Sequence, residues 1–213
     1  MAGAFFINHD ENAEQAVTTV FLAGSRSLTH LDEMVKERLD NVVEKGLAIV
    51  IGDANGADKA FQKYLANRNY RRVTIYCSGD TCRNNLGDWS TQNVLGLPLV
   101  AAHSGPAAAK AVGRAFFAYK DRKMAEDADY GLLLWDGKSA GTMPNVIEML
   151  RRRKKTLVYV AATRDFIAVN GITDAFRLLQ IADTHAKTDI EKKIAFSKTL
   201  REIERATQGS LAL

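Results

Sequence analysis

The sequence predicts an α/β fold with a mostly parallel sheet and extra helices at the C-terminal end. Three observations predict it. Short runs that are almost wholly apolar (VTTVFLA, LAIVIG, VTIYC, YGLLLWD, TLVYVA) recur along the chain. Segments with apolar residues at helical spacing separate them, and strands alternating with helices imply parallel crossovers. The strands themselves lack polar alternation, which suits a sheet covered by helices on both faces.

Residues 17–23 read as the first buried strand, and Leu28, Leu31, Met34, Val35 and Leu39 give a helix to about Glu44. A second strand covers 47–52, and the turn DANGAD leads to a helix carrying Ala57, Ala60, Phe61 and Leu65. The third strand is 73–77. The polar stretch 78–93 has no period and reads as a long loop of the kind that forms lids or binding loops. A short strand is expected at 97–102, then a helix over about 106–127 with Pro106 in its first turn. Strand 130–136, a helix beginning MPNVIEML and strand 156–161 follow. From about Ile172 two helices are expected outside the alternation. The division is therefore an α/β domain over 1–165 and a helical extension over 166–213, packed on the same domain or on a partner.

Composition narrows the class. A hydrophobic share of 46% and a charged share of 25% are those of an ordinary globular protein, not a disordered one. No stretch is long and apolar enough for a membrane span, and the N-terminus lacks a basic n-region, so a cytoplasmic protein is expected. The net charge of +4 is concentrated in RRRKK at 151–155 and in the C-terminal part. Such clusters attract nucleic acid or anions, but acidic residues interleave with the later bases and no aromatic residues do. Nucleic acid is thus the less favoured partner. Cys77 and Cys82, five apart, do not match a zinc pair and are expected as reduced thiols. The four histidines are scattered, so no metal site is expected.

Three strand ends carry residues suited to an anionic ligand, where open parallel sheets bind ligands. After the first strand, Gly24 permits a close backbone turn, Ser25 and Ser27 offer hydroxyls and Arg26 an anion fork. Ser27 reads equally as a helix cap. After the second, Gly52 and Gly56 flank Asp53, and Asp58 follows. The two aspartates could accept from ribose hydroxyls, or Asp58 could be a first-turn helix charge. After the strand at 130–136, Asp136, Gly137, Ser139, Gly141 and Thr142 open a helix, and amides at such a start cradle phosphate. Three such loops in one sheet carry more weight than any one. The first turn lacks the G-x-G-x-x-G of dinucleotide-binding redox enzymes.

GSR after the first strand, GDANGAD after the second, KDRKM at 120–124 and WDGKSAGT at 135–142 resemble the SLOG superfamily, in particular its YspA-like branch. That superfamily includes DNA-processing protein A and the Lonely-guy enzymes. The resemblance covers roughly 18–161 and implies a Rossmann-like three-layer sandwich holding a nucleotide or nucleotide-sugar. It implies a first wall of Gly24, Ser25 and Arg26, and a second of Gly52, Gly56 and Asp58. Gly137, Ser139, Gly141 and Thr142 would be the phosphate loop. No other cofactor is implied, and a homodimer is. Lonely-guy enzymes hydrolyse the N-glycosidic bond of nucleoside monophosphates with an arginine before the fourth main strand and a glutamate two residues past Gly-Thr. Here Arg122 or Lys120 matches the arginine, whereas Pro144 stands at the glutamate position and Glu148 lies one turn further on. Cleavage of that bond calls for a carboxylate. The sequence therefore favours a protein that binds or senses a nucleoside phosphate, NAD-like or ADP-ribose-like ligand. The alternatives are an N-glycoside hydrolase, with Arg122 and Glu148 as candidate catalytic residues, and a single-stranded DNA-binding protein.

Overall fold

The computed structural model describes residues 17–94 and 119–209. Its sheet has seven strands: β1 (Thr19–Gly24), β2 (Ala48–Gly52), β3 (Val73–Ser78), β4 (Ser90–Val94), β5 (Tyr130–Trp135), β6 (Thr156–Val160) and β7 (Asp165–Val169). The spatial order is β4-β3-β2-β1-β5-β6-β7. All neighbouring pairs are parallel except β6 and β7, which are antiparallel. The expected α/β fold with a mostly parallel sheet is thus observed.

Strand residues alternate between two cores. Val20, Leu22, Ile49 and Ile51 face α1 (Glu33–Glu44) and α2 (Ala57–Asn67), which contribute Val35, Leu39, Phe61 and Leu65. Phe21, Ala23, Leu133 and Trp135 face the other side. That side is covered by the helical residues 119–127 (α3), by α4 (Met143–Arg151) and by the C-terminal helices. Two buried faces explain why the strands read as unbroken apolar runs. The result is a three-layer sandwich.

Four expectations change. Helix α1 starts at Glu33, not near Leu28, because the Asp32 carboxylate accepts from the Met34 amide and caps it. The segment expected as a loop over 78–93 ends in β4, an exposed polar edge strand held by backbone pairing to β3. A further strand, β7, extends the sheet beyond β6. The C-terminal part contains three helices, α5 (Ile172–Ile181), α6 (Thr184–Ile194) and α7 (Phe196–Gly209), not two. Ala175, Leu178, Ile190, Phe196 and Leu200 bury themselves in the same core as α4, so the extension packs on this domain. The strand expected at 97–102 and the start of the helix expected at 106 lie outside the described residues.

No described helix is long and apolar enough to cross a membrane. The basic block 151–155 ends α4 at the amino-terminal edge of the sheet, where β6 begins. There the Lys154 ammonium donates to the carbonyls of Ala125 and Glu126 at the end of α3. This block is partly consumed in capping a helix.

Candidate functional site

The strand order reverses beside β1: β2, β3 and β4 lie on one side, β5, β6 and β7 on the other. The carboxyl ends of β1 and β5 therefore form the switch-point crevice where open α/β sheets bind ligands. The loops leaving those two strands meet there. Ser25, buried, shares hydrogen bonds with the hydroxyls of Ser139 (2.9 Å) and Thr142 (3.0 Å), and its oxygen accepts from the Asp136 amide (3.1 Å). The Ser27 hydroxyl donates to Asp136 Oδ2 (2.7 Å), so Ser27 ties the two loops and caps no helix. Asp136 Oδ1 accepts from the amides of Lys138 and Ser139, folding the loop on itself. Burial works to raise the Asp136 carboxyl, and the Ser139 amide, the Ser27 hydroxyl and the Lys138 amide outweigh it, so its pKa lies below the usual range.

Glycines set how closely these pieces approach. A Cβ on Gly24 would stand 2.5 Å from the Leu134 carbonyl oxygen and 2.8 Å from Ala57 Cβ, which binds β1, β5 and α2 into one corner. Gly56 has φ +83° and packs against the Arg26 backbone, so only glycine suits it. Gly137 also takes positive φ. Gly141 differs: a Cβ there would meet nothing within 4 Å. It is exposed and precedes Thr142, the cap residue of α4. Arg26 is exposed at the rim.

Beside this crevice, over the end of β2, lies a buried charge cluster. Asp53 is fully buried and Lys120, reaching over from α3, is 3% exposed; Nζ stands 3.1 Å from Asp53 Oδ1. Arg83, from the loop after β3, donates to Oδ1 through Nη2 (2.6 Å) and to Oδ2 through Nε (3.0 Å) and its own amide (3.1 Å). Burial alone would raise the Asp53 carboxyl, but the Arg83 bonds and the Lys120 charge reverse this and hold it far below the ordinary range. Asp58, in the first turn of α2, accepts only a 3.2 Å bond from the Ala54 amide among the described residues. Burial pushes its carboxyl up to about 7, with Lys120 opposing and the Asp121 charge assisting. Gly52 makes room for the cluster. A Cβ there would lie 2.6 Å from Lys120 Nζ and closer still to Asp58 Oδ2. Asp121 stands 3.9 Å from Lys120 Nζ, and burial raises its carboxyl against the charges of Lys120, Arg26 and Arg83.

The structure thus brings the three sequence-predicted loops to one edge of the sheet. It divides their roles: Ser25 and Thr142 staple loops together, and Asp53 is held by two cations. Arg122 stands apart. Two residues from Lys120 on a helix, it faces another way and lies 3.8 Å from Glu148, which also holds Arg152 at 2.6 Å. Arg83 and Asp121 complete the cluster without having been singled out from the sequence. The signal for Arg83 was only that its polar loop lacked a period.

Trp89 closes that loop. Its ring fills the space over Gly87, and Nε1 donates to the Tyr70 carbonyl at 2.7 Å, so it pins its own segment. Cys77 and Cys82 form a disulfide with Cα atoms 5.0 Å apart, correcting the expectation of reduced thiols. Five residues suffice for the bridge because Gly79, at φ +89°, turns the chain back towards β3. Among the described residues no group of three or more His, Cys, Asp or Glu is arranged to hold a metal ion.

Fold and site together define an open parallel α/β protein with a polar switch-point crevice. Comparison with protein-family models, with curated proteins and with solved structures finds no match.

Proposed function

We propose that this protein binds a nucleoside phosphate in the switch-point crevice, as a nucleotide-binding or nucleotide-sensing protein. The observation that carries the reading is the stapling of the β1 and β5 loops through Ser25, Ser139 and Thr142, which leaves Gly141 open at the start of α4. A helix start with an uncrowded glycine admits a phosphate close to backbone. Arg26 supplies a cation at the rim. The charge cluster forms the neighbouring wall, where Asp121 can accept from a sugar hydroxyl. The resemblance to the SLOG superfamily supports the same ligand class, including NAD-like and ADP-ribose-like molecules. A homodimer and a cytoplasmic setting belong to the same proposal.

A second reading, N-glycoside hydrolysis, draws on Asp58 and Asp121, two carboxyls raised by burial beside the crevice. A carboxyl near 7 can give or take a proton at neutral pH. Arg122, on another face of α3, pairs with Glu148 of α4, which makes them weaker candidates for that role.

The test is melting and turnover on one panel: AMP, ADP, NAD and ADP-ribose, with free base followed by chromatography. A ligand at a hundred times its Kd adds about 2.7 kcal/mol, a melting shift of roughly 5–10 °C for a domain of this size. The expected result is such a shift without free base, lost in Arg26→Ala. Base release would establish the hydrolase reading instead, and no shift from any nucleotide would overturn both.

A further inference from the structure

The loop that supplies Arg83 is anchored at one residue's distance by a covalent bond. Cys77 lies inside β3 and is fully buried, whereas Cys82 is half-buried in the loop. Arg83 follows directly and grips Asp53 with both its amide and its guanidinium. An amide bond to a fixed acceptor demands a fixed backbone; upstream, the disulfide ties that backbone to β3, and the Asn93 side chain of β4 donates to the Asp80 carbonyl at 3.0 Å. Downstream, the Asn84 side chain donates to the Asp53 carbonyl at 2.7 Å and the Leu86 amide donates to Gln62 at 3.1 Å. Of these anchors only the disulfide is chemically labile, and it is the one adjacent to Arg83.

We propose that Cys77–Cys82 is a site of thiol–disulfide exchange with a dithiol reductant, and that its reduction releases Arg83 from Asp53 and loosens one wall of the crevice. A thiolate of the reductant attacks the more accessible Cys82 sulfur and forms a mixed disulfide, and Cys77 leaves as a thiol after taking a proton. The second thiol of the reductant then displaces Cys82. Two electrons and two protons pass to the protein, and the reductant becomes a disulfide. Asp53 keeps Lys120 as its counter-charge, so the buried cluster survives while the loop opens. The two forms differ in a closed loop of a few residues, whose entropy the bridge restrains.

The experiment is alkylation with mass measurement and amide hydrogen exchange, both on the full chain without ligand, so that its outcome is independent of the nucleotide reading. Oxidised protein is expected to take no alkyl group when denatured, and protein treated with dithiothreitol to take two. Exchange within 80–86 is expected to quicken about tenfold or more on reduction, the scale set by closure of so short a loop. In β1 and β5 it should stay unchanged. Cys82→Ser should exchange fast in 80–86 from the outset and ignore the reductant. Should that variant fail to fold, the two redox forms of the natural chain still decide. Alkylation of both cysteines without reductant after oxidant treatment, or equal exchange in 80–86 in the two forms, would overturn the proposal.

Discussion

Arg83 holds Asp53 across thirty residues of sequence, with Nη2 at 2.6 Å from one carboxylate oxygen and Nε at 3.0 Å from the other. Lys120, from α3, meets the same carboxylate at Oδ1, at 3.1 Å. The two cations differ in surroundings, since the Arg83 side chain is 41% exposed and that of Lys120 is 3% exposed. Removing the shared anion therefore leaves one tolerable cation and one intolerable one. Asp53→Asn should cost about 3 kcal/mol or more in urea unfolding, because the buried Lys120 ammonium then keeps only the more distant Asp121 carboxylate, at 3.9 Å, in place of its hydrogen-bonded partner. Arg83→Ala should cost about 1–2 kcal/mol, since its own charge is partly screened by water and Asp53 keeps Lys120. Equal losses in the two variants would contradict this account.

Stability should depend on pH through two carboxyls working in opposite directions. Asp53 has its folded pKa depressed. Its contribution is present above the unfolded carboxylate value and is lost as pH falls through the folded one. Asp58 has its folded pKa raised from 3.8 to about 7. Its contribution is full below the unfolded value and is lost as pH rises through about 7. Melting should therefore decline between about pH 4 and 7.5 by more than the rest of the chain explains. Asp58→Asn keeps the carbonyl oxygen that the Ala54 amide needs but removes the titration. It should flatten that decline and gain of the order of 2–4 kcal/mol over the native chain at pH 8. A native profile that is already flat over this window, measured by melting in constant-ionic-strength buffers, would count against the cluster as described.

The contrast between what could and could not be read from the chain has a physical basis. β1, β2, β3, β5 and β6 are buried on both faces, so side-chain transfer alone writes them into the sequence as apolar runs. β4, with the sequence STQNV, buries only Val94 and owes its place to backbone pairing with β3, which leaves no apolar mark. The antiparallel β7, DFIAV, is an edge of a different kind: Val169 is buried and Ile167 and Phe166 pack against the two cores, so its short apolar run is legible but says nothing of its antiparallel pairing. At the site, glycines and hydroxyls after strands marked the three loops, because turn chemistry is local. What Asp53 and Asp58 do was not local. One is clamped by Arg83 and Lys120 from two other elements, and the other is left nearly unpaired by burial. The cysteine spacing argued against zinc, but only the return of the chain at Gly79 decided that the sulfurs meet.

Three glycines of the crevice should separate folding from binding. Gly24→Ala forces a methyl against the Leu134 carbonyl, and Gly56→Ala puts one against the Arg26 backbone at a φ of +83°. Each should lower stability by about 2–4 kcal/mol, the scale of backbone strain combined with overpacking. Gly141→Ala meets nothing within 4 Å and should leave melting within about half a kcal/mol of the native value. If a phosphate sits at this helix start, the same methyl should weaken AMP binding by tenfold or so, about 1.4 kcal/mol. Melting of the three variants with and without AMP reads both effects at once. A stable Gly141→Ala protein with undiminished affinity would place the ligand elsewhere.

Two carboxylates, Glu148 and Asp58, compete for a catalytic role. Glu148 is bound on α4 by Arg152 at 2.6 Å and by Arg122 at 3.8 Å, and the Arg122 side chain is 56% exposed. An i,i+4 pair with a largely solvated third partner contributes little, so Glu148→Gln and Arg122→Ala should each change stability by under about 1 kcal/mol. Asp58 instead sits with Lys120 in the notch left by Gly52, protonated over the lower part of the neutral range. If base release from AMP is detected, Asp58→Asn should abolish it and Glu148→Gln should leave at least about half the rate, a difference of well under 1 kcal/mol in the barrier. The rate of the native chain should also follow the titration of Asp58, bending near pH 7. The opposite pattern, loss in Glu148→Gln with Asp58→Asn unaffected, would move the chemistry to α4 and reduce the buried cluster to a structural clasp.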